Sequence, residues 1–125
     1  MSHIHIGSYR KNVPFDERKL KADLILKQHI NRIPVVVECS EQLQNIHPLK
    51  KNKFIVPFDL TLSQFIFVIR KHMKLDSTHA IFVFINNIMH PITAIMGQLY
   101  HDQKDEDGFM YLNVFQESTF GQKKM

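Results

Sequence analysis

A single cysteine, Cys39, stands in a chain of 125 residues. One cysteine cannot close an intramolecular disulfide, which fits a reducing compartment, and it excludes a closed zinc site built on cysteines. No apolar run approaches the roughly 18 residues of a membrane span. The run AIFVFI at 80–85 has only the length of a strand. Residues 1–15, MSHIHIGSYRKNVPF, contain no apolar core segment, so no secretory signal is expected there. A membrane role would therefore need a partner or a covalent lipid. The four glycines form no phosphate-cradling loop, and no repeat or low-complexity segment is visible. His3 and His5, and the scattered His79, His90 and His101, lack a consistent ligand pattern. Cys39 has no histidine or asparagine tied to it and reads as a buried structural thiol. Neither a catalytic residue nor a metal ligand is expected, and the chain is not expected to be an enzyme.

Hydrophobic residues make up 44% of the chain, enough for one compact core. At this size about two thirds of the unfolded surface should be buried. The net charge of +4 is moderately basic. It permits attraction to nucleic acid or anionic lipid without demonstrating either.

Residues 1–13 show no amphipathic period and are taken as an extension. Pro14 with Asp16 and Glu17 marks a helix start, because proline fits the first turn and acids there complement the helix dipole. Arg18, Ala22, Ile25, Leu26 and His29 follow at helical spacing, predicting a helix over 15–29. Leu20 and Leu24 lie off that face. Ile33 to Val37 is a β-branched strand in which Pro34 marks a start or an edge. A polar connection through about Pro48 precedes a second strand, Lys53 to Val56. Asp59 and Thr61 offer caps for a helix over Leu62 to Met73. The unbroken apolar run 80–85 predicts a central strand. Thr93 to Tyr100 is a short helix or a turn. Asp105, Glu106 and Asp107 sit before Gly108 as a solvated turn, and Phe109 to Phe115 is the last strand.

Four segments then become specific. They are Pro14-Phe15-Asp16-Glu17-Arg18 with Asn31-Arg32-Ile33-Pro34-Val35-Val36-Val37-Glu38; Lys51-Asn52-Lys53-Phe54-Ile55-Val56-Pro57; Gln64-Phe65 with Ile69-Arg70-Lys71; and Lys104-Asp105-Glu106-Asp107-Gly108-Phe109 with Tyr111 and the run Glu117-Ser118-Thr119-Phe120-Gly121. In this order they resemble the autophagy ubiquitin-like modifiers, the family of the GABARAP proteins and microtubule-associated light chain three. The resemblance covers 14–121. It implies an α+β fold, a ubiquitin-like β-grasp whose four-stranded mixed sheet carries an extra N-terminal helical segment. The implied organisation is an extension over 1–13, a ubiquitin-like domain over 14–121 and a removable tail over 122–125.

The resemblance also implies chemistry. A dedicated cysteine protease would cut after Gly121, and activating and conjugating enzymes would couple that glycine to phosphatidylethanolamine. Glycine suits a chain end that must thread narrow active sites. No cofactor is implied beyond that covalent lipid. Cargo receptors and adaptors would dock short aromatic-x-x-aliphatic motifs by adding a strand to a sheet edge. The aromatic pocket would comprise Lys21, Ile25, Pro34, Val36, Lys53, Ile55 and Phe109. The aliphatic pocket would comprise Phe54, Val56, Pro57, Leu60, Phe65 and Val68. Arg32, Lys51 and Lys53 would form a basic rim. The implied location is cytoplasmic, and on the autophagosome or a related organelle membrane after lipidation.

Departures from the family pattern bear on specificity. Ile30 stands where the family usually has proline, Lys21 where it often has an acid, and His72 where it usually has arginine. Two other functions fit parts of the sequence. One is a ubiquitin-like peptide-binding module with an inert tail. The other is a basic nucleic-acid or tubulin-binding module suggested by Lys50, Lys51, Lys53, Arg70 and Lys71. The modest charge and the lack of interleaved aromatic residues argue against nucleic acid as a partner.

Overall fold

The computed structural model describes residues 8–117. The elements in chain order are α1 (Ser8–Asn12), α2 (Phe15–Gln28), β1 (Arg32–Cys39), α3 (Glu41–Ile46), β2 (Lys53–Pro57), α4 (Leu62–Met73), β3 (Ile81–Ile85), α5 (Met96–Gln103) and β4 (Met110–Gln116). The sheet runs in the order β2-β1-β4-β3. β1 is parallel to β4, while the β1–β2 and β3–β4 pairs are antiparallel. This is the ubiquitin-like β-grasp.

Side chains alternate across a strand, so β1 feeds two cores. Ile33, Val35 and Val37 join Phe54, Val56, Phe65, Ile69, Met96 and Leu112 in the larger one. Val36 joins Tyr9, Ala22, Phe109 and Tyr111 in the smaller one, against which Ile25 packs. With both faces covered, β1 is buried without a break from Ile33 to Glu38. α4 starts where the sequence signals it. Thr61 Oγ1 accepts the Gln64 N–H at 3.1 Å, and Gln64 Oε1 accepts the Thr61 N–H at 2.9 Å, closing a capping box. Phe65, Ile69 and Met73 then fall one turn apart on the inward face.

Several sequence expectations are corrected. Residues 81–85 form an edge strand, not a central one, with Phe82 exposed. The central positions belong to β1 and β4, and an apolar run alone does not distinguish a doubly covered strand from an edge whose outer residues are also apolar. Pro34 marks neither a start nor an edge, since β1 is central and begins at Arg32. The polar connection contains α3, capped by Ser40 Oγ on the Leu43 N–H and anchored by the buried Leu43. The segment before Pro14 contains α1, whose Tyr9 is buried. Helices of five and six residues are too short to display a period.

The acidic turn is the largest correction. Asp107 is fully buried. Its carboxylate accepts from Arg18 Nε at 2.8 Å, from the Tyr111 hydroxyl at 2.5 Å and from the Phe109 N–H at 2.8 Å. Arg18 Nη1 donates onward to the carbonyls of Arg10 and Val13, so one ion pair joins α1, α2 and β4. Burial is the strongest single influence and disfavours the Arg18 charge, but the Asp107 hydrogen bond together with the nearby acidic groups outweighs it and raises the guanidinium's already high pKa. Burial and the same carboxylate push the Tyr111 phenol far up. Replacing Asp107 with Ala leaves the Arg18 charge unpaired at a buried position and is expected to cost about 3–5 kcal/mol. Urea unfolding measures this; a loss under about 1 kcal/mol, as for an exposed pair, would contradict it.

Candidate peptide-binding groove

Two hydrogen bonds and the strand register define what the free edge of β2 offers. The Val37 N–H donates to the Asn52 carbonyl at 2.8 Å, and the Phe58 N–H donates to the Asn31 carbonyl at 3.0 Å. Arg32, Ile33, Pro34, Val35 and Val36 pair with Pro57, Val56, Ile55, Phe54 and Lys53 between these two points. Hydrogen-bonded and non-hydrogen-bonded pairs alternate in an antiparallel ladder. Val35–Phe54 and Ile33–Val56 are therefore the bonded pairs, while Val36–Lys53 and Pro34–Ile55 are not. Lys53 and Ile55 turn their N–H and C=O groups outward. Pro34 costs no bond to β2, because its missing N–H falls at a non-bonded pair. It also precedes the ladder to β4, which begins at Val35.

Lys53 and Ile55 side chains face α1 and α2, while Phe54 and Val56 face α4. Lys53 Nζ lies 4.6 Å from the Tyr9 ring centroid, and Phe54 meets Phe65 edge to face at 5.4 Å. The two faces divide the residues expected for the two pockets. On the α2 side Lys21 is exposed, Ile25, Lys53 and Ile55 are half-buried, and Pro34, Val36 and Phe109 are buried. The last three can serve only as a floor beneath the first four. On the α4 side Pro57, Leu60 and Val68 remain accessible above the buried Phe54, Val56 and Phe65. All six except Pro57 belong to the larger core or pack against it.

Specific contacts hold the residues expected for the basic rim. Arg32 Nη1 donates to the outward Ile55 carbonyl at 3.3 Å. Lys51 Nζ lies 5.0 Å from the Phe54 ring centroid. Burial, and then the like charge of Lys21, lower the Lys53 pKa. Tyr9 was missed by sequence reasoning. Its ring stands edge to face on Phe109, with centroids 5.5 Å apart, and closes the α2-side cleft from the direction of α1. A lone tyrosine in an otherwise polar segment was the only available signal.

Other sequence candidates stay apart from the groove. The Cys39 thiol is pushed up to about 11 by burial and by Glu38, which leaves it a poor nucleophile at neutral pH. His79 pairs with Asp76 and His101 with Asp102, while His90 contacts the Ile85 carbonyl. Among the described residues no group of three or more His, Cys, Asp or Glu could hold a metal ion. No described helix is long and apolar enough to cross a membrane. His3, His5 and Gly121 lie outside the described residues.

A ubiquitin-like fold in which the edge strand β2 turns backbone groups outward defines a class of protein, and comparisons narrow it to a family. The family model described as "Autophagy protein Atg8 ubiquitin like" matches residues 17–121. The chain is 41% identical over 116 residues to Autophagy-related protein 8d of Arabidopsis thaliana, covering 93% of this chain and 96% of that one. It is also 41% identical to Autophagy-related protein 8 of Gibberella zeae, covering 93% and 98%. The crystal structure of Trypanosoma brucei ATG8 superposes with a TM-score of 0.84 at 36% identity, covering 94% of this chain and all of that one. The chain belongs to the Atg8 family of autophagy ubiquitin-like proteins.

The strand parity makes a direct prediction. In hydrogen-exchange NMR of the free chain, the Lys53 and Ile55 amides should exchange much faster than those of Phe54 and Val56. Equal protection at all four positions would mean that the edge is not open.

Proposed function

We propose that this chain is a ubiquitin-like modifier of autophagy whose β2 edge recruits proteins by strand addition. The observation that carries the recruiting role is the pair of outward-facing backbone positions, Lys53 and Ile55, set between two clefts on opposite faces of one strand. An extended ligand can bond to both positions and send alternate side chains to the two sides. An aromatic side chain fits the cleft bordered by Lys21, Ile25 and Ile55, and an aliphatic one fits beside Pro57, Leu60 and Val68. Arg32, Lys51 and Lys53 favour ligands with acidic flanks, mainly through association rate and selectivity.

The membrane half of the proposal rests on the sequence. Cleavage after Gly121 by a cysteine protease frees a carboxylate, and activating and conjugating enzymes couple it to phosphatidylethanolamine. Two acyl chains then anchor a chain whose described part offers no membrane-spanning helix. Each buried methylene contributes about 0.8 kcal/mol. The working location is the cytoplasm, and an autophagosomal or related membrane after lipidation.

Two measurements test the two halves. Incubation of the full chain with the processing protease of its own organism should remove only Gln122 to Met125, and Gly121→Ala should block both this cut and membrane attachment. Intact mass and vesicle flotation read the outcome; an alanine variant that enters membranes normally would refute the lipid half. In fluorescence anisotropy, Lys53→Glu should weaken an acidic-flanked motif peptide by about tenfold and a neutral-flanked one much less. Equal losses would remove the basic rim from the reading.

A further inference from the structure

The groove does not stop at the aliphatic cleft. Beyond it lies a cleft of about 340 Å3 lined by Ile30, Asn31, Arg32, Pro57, Phe58 and Asp59. Two large apolar side chains line it while open to solvent: Ile30 is 79% exposed and Phe58 is 49% exposed. A single exposed apolar residue is ordinary. Two on one cleft, continuous with a binding groove through Pro57, form a surface that a ligand can cover.

Phe58 is a fixed wall. Its N–H donates to the Asn31 carbonyl at 3.0 Å, and its carbonyl accepts the Gly97 N–H at 2.8 Å. Its ring lies so close to Gly97 that a Cβ there would come within 2.0 Å of Cδ2, so the glycine is needed to seat it. Asn31 adopts a left-handed φ of 69°, which makes the turn between Ile30 and the start of β1 a defined one.

The direction of the bound peptide selects the occupant. Along β2 the aromatic cleft uses Lys53 and Ile55, whereas the aliphatic cleft reaches Val56 and Pro57. A ligand whose aromatic residue comes first therefore runs parallel to β2. Its residues after the aliphatic position pass over Pro57 towards Ile30 and Phe58. Arg32 and Asp59 bring opposite charges to the same cleft, so the apolar pair is the selective element. We propose that this cleft is a third subsite, which takes one apolar side chain from the first three residues after the aliphatic position of the bound peptide.

This inference rests on the peptide groove proposed above, and the test separates the two. A core peptide with acidic flank, aromatic and aliphatic residues, ending at the aliphatic position, is compared with versions extended by three serines. In the extended versions leucine is placed in turn at the first, second and third added position. Fluorescence anisotropy on the full chain reads each affinity. One leucine position is expected to bind about tenfold more tightly than the all-serine extension, the gain for burying much of one leucine side chain. That gain should vanish in Ile30→Asn with Phe58→Ser while the core peptide keeps its affinity, which also reports that the variant is folded. Ile30→Asn alone, at a mostly exposed position, should lose part of the gain and guards against misfolding of the double variant. Core binding with no gain at any leucine position, or a gain that survives both variants, overturns the third subsite alone. Failure of the core peptide to bind removes the groove reading and the subsite with it.

Discussion

One buried carboxylate carries the α2 side of this protein. Asp107 receives the Arg18 guanidinium, the Tyr111 hydroxyl and the Phe109 N–H, while the other branch of Arg18 grips the carbonyls of Arg10 and Val13. The pair therefore binds two helices and the last strand into one unit. Around it pack Tyr9, Ala22, Val36, Phe109 and Tyr111, which form the floor of the cleft beside Ile25 and Ile55. The arrangement is economical but exacting: a buried charge is tolerable only with its partner in place. An Arg10–Asp105 pair at 3.0 Å and the Tyr9 N–H on Glu38 at 3.1 Å hold α1 down from outside the same network. Polar contacts thus help to attach the α1–α2 layer, in which Leu20 and Leu24 of α2 remain exposed.

The opposite side obeys a different logic. There α4 contributes a regular inward stripe and packs against Phe54 and Val56, giving a larger, apolar core. β2 belongs to both worlds, because its alternation sends Phe54 and Val56 to one side and Lys53 and Ile55 to the other. As the outermost strand among the described residues it also turns backbone groups away from the sheet, a hazard that proteins usually blunt with charge. Lys51, Lys53 and Arg32 supply that charge, and Arg32 occupies the Ile55 carbonyl directly. Under the proposed function the same cations that discourage self-association would also favour an acidic ligand, so one set of residues would serve both protection of the edge and selection of a partner.

The side-chain alternation of the candidate site was legible residue by residue. The resemblance placed the β2 residues, and the alternation of Lys53 and Ile55 against Phe54 and Val56 follows from the period of a strand. The burial of Phe109 was harder to foresee than that of Val36. Val36 and Phe109 lie fully buried as a floor, whereas Ile25 and Ile55 stay partly accessible, a difference that depends on where α1 and α2 settle. Tyr9 could not be assigned to the cleft because α1 is too short to announce itself. Asp107 looked like its neighbours Asp105 and Glu106, and only the fold buries it and brings Arg18 and Tyr111 onto its carboxylate.

By itself the sequence determined the local elements: the proline and acidic start of α2, the Thr61 cap and apolar span of α4, the β-branched β1, and a tail whose glycine follows the family pattern. These depend on contacts within a few residues or on the period of one element. Tertiary structure decided which strand lies at the edge, which member of an acidic triplet is buried, and that Ile30 and Phe58 share a cleft. Those facts depend on pairing between residues far apart in the chain, such as Arg18 with Asp107 and Asn31 with Phe58, and no local pattern encodes them.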